Sequence, residues 1–73
     1  MSSDDTLSKV KILLGHWIEH NQEHGDEFHE WADKVKELGK TEVGDDIAQA
    51  AQKMYAAGGL LSQALDKLGG REA

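Results

Sequence analysis

A chain of 73 residues can form only one domain, and a domain this small buries too little surface for a hydrophobic core alone to stabilise it well. It contains no cysteine, which excludes disulfide bonds and thiolate-type zinc sites. Fourteen acidic and eight basic side chains give a net charge of −6, so nucleic-acid phosphates or an anionic membrane surface would repel it. We therefore expect another source of stability, either self-association or a histidine-based metal site.

The chain also lacks the sequence features of membrane insertion and secretion. No apolar run approaches the roughly 18 residues that span a bilayer. The first residues, Met1-Ser2-Ser3-Asp4-Asp5, carry neither the basic nor the apolar region of a signal peptide. The sequence therefore predicts a cytoplasmic protein with no nucleic-acid partner and no membrane association.

The first predicted element is a long helix over residues 5–38. Its apolar and aromatic residues recur at helical spacing: Val10, Leu13, Leu14, Trp17, Phe28, Trp31, Val35 and Leu38. Gly25 offers a competing interpretation, in which the helix breaks there and a three-helix monomer results. The register favours one continuous helix, because Trp17, His24 and Trp31 recur every seven residues straight across this glycine.

A turn at residues 39–41 is predicted to separate two helices. Gly39 can adopt the left-handed conformation that ends a helix, and Thr41 can cap the next one. The second helix is predicted over residues 42–68, and Gly69-Gly70 ends it. Its apolar residues alternate spacings of four and three, a heptad pattern that forms a seam against a partner helix: Val43, Ile47, Ala50, Met54, Ala57, Leu61, Ala64 and Leu68.

The second helix also has another, mostly small-residue face: Ala51, Tyr55, Gly58, Ser62 and Leu65. Each glycine of Gly58-Gly59 costs about 1 kcal/mol relative to alanine in a helix, and we expect a close helix crossing there rather than a kink. A helix with two packable faces belongs in a bundle. We therefore predict an all-α, antiparallel two-helix hairpin, one domain over residues 1–73, that forms a homodimeric four-helix bundle.

Three histidines recur every fourth residue of the first helix and are named here the histidine ladder: His16, His20 and His24. On a helical wheel His20 and His24 fall inside the apolar stripe, so they need polar partners if they are buried. Two histidines at positions i and i+4 can bind one metal ion, and Glu27 is close enough along the helix to add a ligand. His16 or a residue of a second copy would complete the set.

The metal hypothesis thus assigns four ligands: His16, His20, His24 and Glu27. Imidazole and carboxylate suit zinc, nickel, cobalt and copper about equally, so the identity of this divalent transition metal stays open. The alternative is a non-catalytic, homo-oligomeric interaction module, in which His20, His24 and Asn21 form a buried polar layer that sets helix pairing. A proton switch at the clustered histidines is a third hypothesis.

No pattern in the sequence indicates catalysis. The chain has no cysteine nucleophile and no glycine-rich phosphate loop, and neither Ser8 nor Ser62 has a base beside it in sequence. His29 lies away from the apolar stripe and is interpreted as part of a solvated acidic surface. We therefore predict a non-enzymatic protein with no catalytic residues and no organic cofactor.

One run of the first helix, with the residues after it, forms a signature: His16-Trp17-Ile18-Glu19-His20-Asn21-Gln22-Glu23-His24, then Phe28 and Trp31-Ala32. It resembles the HW-x-x-HN-x-x-H signature of a family of small, uncharacterised prokaryotic helical domains, over most of the chain. The resemblance implies an alanine- and leucine-rich second helix after a glycine turn, and neighbouring histidine-rich or metal-transport segments in some members. It assigns no role to the signature residues. Gly25 and Gly58-Gly59 depart from the family's alanine- and glutamate-rich pattern.

Overall fold

The computed structural model describes residues 3–70 and shows two α-helices packed antiparallel. Helix α1 spans Ser3–Glu37 and helix α2 spans Thr41–Lys67. The hairpin measures 55 × 22 × 14 Å. Helix α1 continues through Gly25 without a break. The all-α hairpin predicted from the sequence is therefore confirmed, and neither helix within residues 3–70 has an apolar stretch long enough to cross a membrane.

Backbone hydrogen bonds hold the turn between the helices. Gly39 has a φ of +84°, the left-handed conformation predicted for it, and its N–H donates to the Lys36 carbonyl at 2.9 Å. The N–H of Lys40 donates to the Val35 carbonyl at 3.1 Å. The predicted capping role of Thr41 is wrong, because α2 already includes Thr41 and Lys40 occupies the cap position without a side-chain hydrogen bond.

The two helices meet along one line of contact, named here the inner seam. Helix α1 contributes Leu14, Ile18, Asn21, Gly25, Phe28, Ala32 and Val35. Helix α2 contributes Gly44, Ala48, Ala51, Tyr55, Gly58, Ser62 and Leu65. All of these residues are buried or half-buried, and both sets follow a strict heptad spacing. The small-residue face of α2 therefore packs against α1, with Ala51 completely buried.

Two glycines bring the helices close together. A Cβ atom added to Gly25 would lie 2.6 Å from Cε1 of Tyr55, and one added to Gly44 would lie 2.8 Å from the Ala32 carbonyl oxygen. The predicted close crossing at Gly58-Gly59 is wrong, since an added Cβ on either would meet no atom within 4 Å.

Both tryptophans and several aliphatic side chains lie outside the inner seam, in a second heptad stripe along each helix. The stripe of α1 is Leu13, Trp17, His20, His24, Glu27, Trp31, Lys34 and Leu38. The stripe of α2 is Val43, Ile47, Ala50, Met54, Ala57, Leu61, Ala64 and Leu68. Both stripes are rotated from the inner seam by about 90° in the same sense, so they share one side of the hairpin, named here the broad face. Trp17 remains 43% exposed there and Trp31 53%.

Candidate functional site

The histidine ladder lies on the broad face and forms a row of contacting rings. The rings of His16 and His20 meet edge to face, with centroids 5.7 Å apart and planes at 87°. The rings of His20 and His24 are stacked, with centroids 4.7 Å apart and planes at 11°. The ladder therefore places two imidazoles one helical turn apart on one side of α1, in contact through their faces.

The ladder is more exposed than the helical wheel indicated. His16 and His20 are exposed, and the side chain of His24 is 45% exposed. The prediction that His20 and His24 interrupt the core is therefore wrong for the hairpin, where the inner-seam positions beside them are occupied by Asn21 and Gly25. The cause is that α1 packs on α2 through the inner seam and leaves the adjacent stripe, which carries both tryptophans, facing outwards.

A shallow, open depression surrounds the ladder where the two helices converge. It is lined by Trp17, His20, Asn21, His24 and Leu61. Leu61 belongs to α2 and the other four residues to α1, so this depression joins the two stripes of the broad face. Its walls are aromatic and apolar around two imidazoles and one carboxamide, and an apolar partner placed on it would enclose polar groups that need hydrogen bonds or a metal ion.

Glu27 lies beside the ladder, but a single copy does not assemble a complete ligand set. Its Oε1 atom is 4.0 Å from Nδ1 of His24, and its side chain is 61% exposed. Within residues 3–70 no group of three or more histidine, aspartate or glutamate side chains is arranged to hold a metal ion. The structure thus brings His24 close to Glu27 and to His20, while His16 contacts only the His20 ring among the four predicted ligands.

A polar cluster on the side of the hairpin away from the ladder was missed by sequence reasoning. The Tyr55 hydroxyl donates a 2.6 Å hydrogen bond to Oδ1 of Asp26, and Gln22 Nε2 donates to the same oxygen at 3.2 Å. This bond raises the pKa of Tyr55 above its ordinary value of 10.0, since ionisation would remove the donated proton and place a phenolate next to a carboxylate; partial desolvation adds to the rise. Gly25 before Asp26 was the available signal, because its missing side chain admits the Tyr55 ring.

The fourth histidine is separate from the ladder. His29 Nδ1 lies 3.7 Å from Asp33 Oδ2, and both side chains are more than half exposed. These two residues belong neither to the inner seam nor to the broad face. His29 therefore adds nothing to the candidate site, in line with its interpretation as part of the solvated surface.

Comparison with known proteins places the hairpin, the ladder and the broad face within one matched region. Residues 10–68 match the model of a family described as Domain of unknown function (DUF8180). An uncharacterized protein of Archaeoglobus fulgidus is 35% identical over 63 residues, which cover 86% of this chain and 100% of the relative. No solved structure matches significantly. The match to the family model spans both helices, and the chain therefore belongs to the DUF8180 family.

Proposed function

We propose that the protein is a cytoplasmic, non-catalytic helical module that pairs with a second copy of itself through the broad face. The observation that supports this proposal is the second heptad stripe of α2. A heptad stripe of this length favours packing against another long helix, and α1 packs against the other face of α2. A second copy supplies two helices of matching length and period.

The size of the broad face also fits a second copy. Each stripe advances 25 residues from its first position to its last, or about 38 Å, and with the 22 Å width of the hairpin this corresponds to roughly 840 Å², close to the 800 Å² or so that each partner buries in a standard interface. Two stacked hairpins would cover Trp17 and Trp31 and would give the four-helix bundle that a small domain needs for a substantial core.

The charge of the broad face permits such pairing although the chain is acidic. Its stripes contain one carboxylate, Glu27, and one ammonium group, Lys34, so their formal charges cancel. The other acidic residues between positions 5 and 70 lie outside these two stripes. Two chains of net charge −6 can therefore approach through a surface that does not repel itself.

Burial between two copies would give the histidines a structural role. His20, His24 and Asn21 would form a polar layer inside an apolar interface, and such layers fix register and partner choice at some cost in stability. Four residues of the His16–His24 run line the depression, which supports an interface role for that run in this chain: Trp17, His20, Asn21 and His24.

Sedimentation of two variants, each with glutamate in place of one of two neighbouring alanines, tests the proposal. Ala57→Glu places a charge on the broad face, whereas Ala56→Glu places the same charge at an exposed position outside the inner seam and the broad face. We expect the parent and Ala56→Glu to sediment as dimers and Ala57→Glu as a monomer with unchanged helical content by circular dichroism. A monomeric parent at micromolar concentration, or a dimeric Ala57→Glu variant, would contradict the proposal.

A second candidate function is the binding of a divalent transition metal between the two copies. The proximity of His24 and Glu27 favours it, because it places a nitrogen and an oxygen donor next to each other on one surface, with the His20 ring one helical turn away. A second copy would add the missing ligands, with His16 at the margin. Zinc, nickel, cobalt and copper all suit this donor set.

Thermal melting with and without metal tests the second candidate. Zinc, nickel, cobalt or copper should raise the melting temperature of the parent, because a ligand that binds only the folded state stabilises it by mass action. His24→Ala should lose this shift, and His29→Ala, which changes a histidine outside the ladder, should keep it. Equal melting curves with and without all four metals, and no metal in elemental analysis of the purified protein, would exclude the metal function.

A further inference from the structure

The two stripes of the broad face specify how a second copy lies on it. We propose that it lies antiparallel, about a twofold axis that runs between the two copies. This axis is level with the Gly25–Asp26 bond of α1 and with the Tyr55–Ala56 bond of α2. This inference rests on the proposed self-association and adds the register in which the two chains pair. Three features of the hairpin lead to it: the pattern of the α2 stripe, the pattern of the α1 stripe, and the relative height of their midpoints.

The α2 stripe is complementary to itself in this register. One edge carries the large residues Ile47, Met54, Leu61 and Leu68, and the other edge carries Val43, Ala50, Ala57 and Ala64. In an antiparallel helix pair each edge lies level with the opposite edge of the partner. Met54 then faces Ala57 of the second copy, Ile47 faces Ala64, and Leu61 faces Ala50. A shift by one heptad leaves one end of each stripe uncovered.

The α1 stripe pairs completely about the level between Gly25 and Asp26. The facing pairs are Leu13 with Leu38, Trp17 with Lys34, His20 with Trp31, and His24 with Glu27. They match two apolar groups, a cation with an indole, an imidazole with an indole, and an imidazole with a carboxylate. Within one copy Lys34 Nζ lies 4.4 Å from the centroid of the Trp31 ring and 3.2 Å from Oε1 of Glu30, so this ammonium group is already held beside one indole at the broad face.

The hairpin places the two midpoints at the same height. The Tyr55 ring would lie 2.6 Å from a Cβ atom on Gly25, and the Tyr55 hydroxyl bonds to Asp26 at 2.6 Å. The residues beside the midpoint of the α2 stripe therefore touch the residues beside the midpoint of the α1 stripe. One straight twofold axis can therefore pass beside the midpoints of both stripes. A closed symmetric dimer requires this, and neither stripe imposes it alone.

This arrangement completes the donor set at the ladder. His24 Nδ1 and Glu27 Oε1 are 4.0 Å apart within one copy, and the axis brings the same pair from the second copy to the same level. Two imidazoles and two carboxylates then surround the axis, which is a four-donor set of the kind that divalent transition metals accept. The site consists of His24 and Glu27 from both chains and is incomplete in either chain alone.

Disulfide trapping between single-cysteine variants tests the register, because the chain has no cysteine of its own. Trp17→Cys mixed with Lys34→Cys should form a covalent heterodimer under mild oxidation. Trp17→Cys alone should not, since its two copies would be about 25 Å apart along the helices, far beyond disulfide reach. The mixture should exceed the cross-linked fraction of either variant alone by about tenfold. Leu13→Cys mixed with Leu38→Cys tests the same register independently.

Two control measurements separate failure of the register from failure of self-association. Trp17→Cys mixed with Glu27→Cys tests the register shifted by one heptad, and the proposed axis predicts no cross-link there. If the parent is dimeric but the control mixture forms a cross-link, or neither proposed pair does, the register is overturned and self-association still stands. A monomeric parent by sedimentation would overturn the proposed function itself.

Discussion

The inner seam and the broad face use opposite means of packing. The inner seam relies on small residues, and its best-buried side chains are Ala51, Ala32, Leu14 and Leu65. The broad face carries both tryptophans, and its α1 stripe remains largely exposed in a single hairpin while most of its α2 stripe is half-buried. Small residues at the inner seam thus allow the two helices to pack closely, whereas the tryptophans lie on a surface that a single hairpin does not cover.

This difference shows that hydrophobicity alone does not decide which face of a helix packs first. A helix pair gains dispersion contacts along its whole length when the backbones approach closely, and small residues allow that approach. Large residues bury more apolar area, but they need a surface of matching shape. The two faces should therefore respond in opposite ways to a change in side-chain size.

The largest expected effect is at the centre of the inner seam. Ala51→Leu inserts a large side chain where the alanine is completely buried, and we expect a loss of about 1 to 3 kcal/mol in the free energy of unfolding through overpacking. Urea denaturation followed by circular dichroism, at one fixed protein concentration, measures it. Ala56→Leu is the control. It changes an exposed position outside the inner seam and the broad face and should change stability little. Equal effects at both positions would contradict the assigned seam.

A smaller and more specific effect separates the glycines. Gly44→Ala would bring its Cβ atom within 2.8 Å of a backbone oxygen that cannot rotate away, so we expect a net loss of about 1 kcal/mol despite the better helix propensity of alanine. Gly59→Ala meets no atom within 4 Å and should gain about 0.5 to 1 kcal/mol. Melting temperatures of the two variants should therefore move in opposite directions. A gain for Gly44→Ala would mean that the helices are not in close contact there.

The sequence predicts the hairpin well because its signals are local. Gly39 needs only its own backbone freedom to end α1, and the seven-residue recurrence of Trp17, His24 and Trp31 follows from the helical repeat. The choice between two heptad stripes on α2 is different, since both satisfy the same periodicity. Only the contact with α1 decides it, through the room at Gly25 and Gly44, and that contact is not a local property.

The candidate site could be predicted in part for the same reason. The spacing of His16, His20 and His24 places them on one side of a helix, and the structure brings their rings into contact. Their exposure could not be predicted, because it depends on which stripe of α1 meets α2. The Tyr55–Asp26 hydrogen bond also depends on that contact, since the two residues are 29 positions apart in the chain.

The smallest expected effect is a pH dependence that reports on this hydrogen bond. The pKa of Tyr55 is raised in the folded protein above its ordinary value of 10.0, so the folded state holds the phenolic proton more tightly than the unfolded state does. The stabilisation is therefore complete below about pH 10 and is lost as the pH rises through the higher folded-state pKa. Tyr55→Phe should lack this loss, so its difference in unfolding free energy from the parent should shrink above pH 10.

Tyrosinate absorbance follows the same titration directly, because Tyr55 is the one tyrosine of the chain. The parent should titrate at higher pH than its urea-unfolded form, and Asp26→Asn should lower the folded-state pKa back towards 10.0, since it removes the carboxylate that raises it. If folded and unfolded parent titrate together, the hydrogen bond does not persist in solution, and the two midpoints through which the proposed twofold axis passes lose one of the contacts that align them.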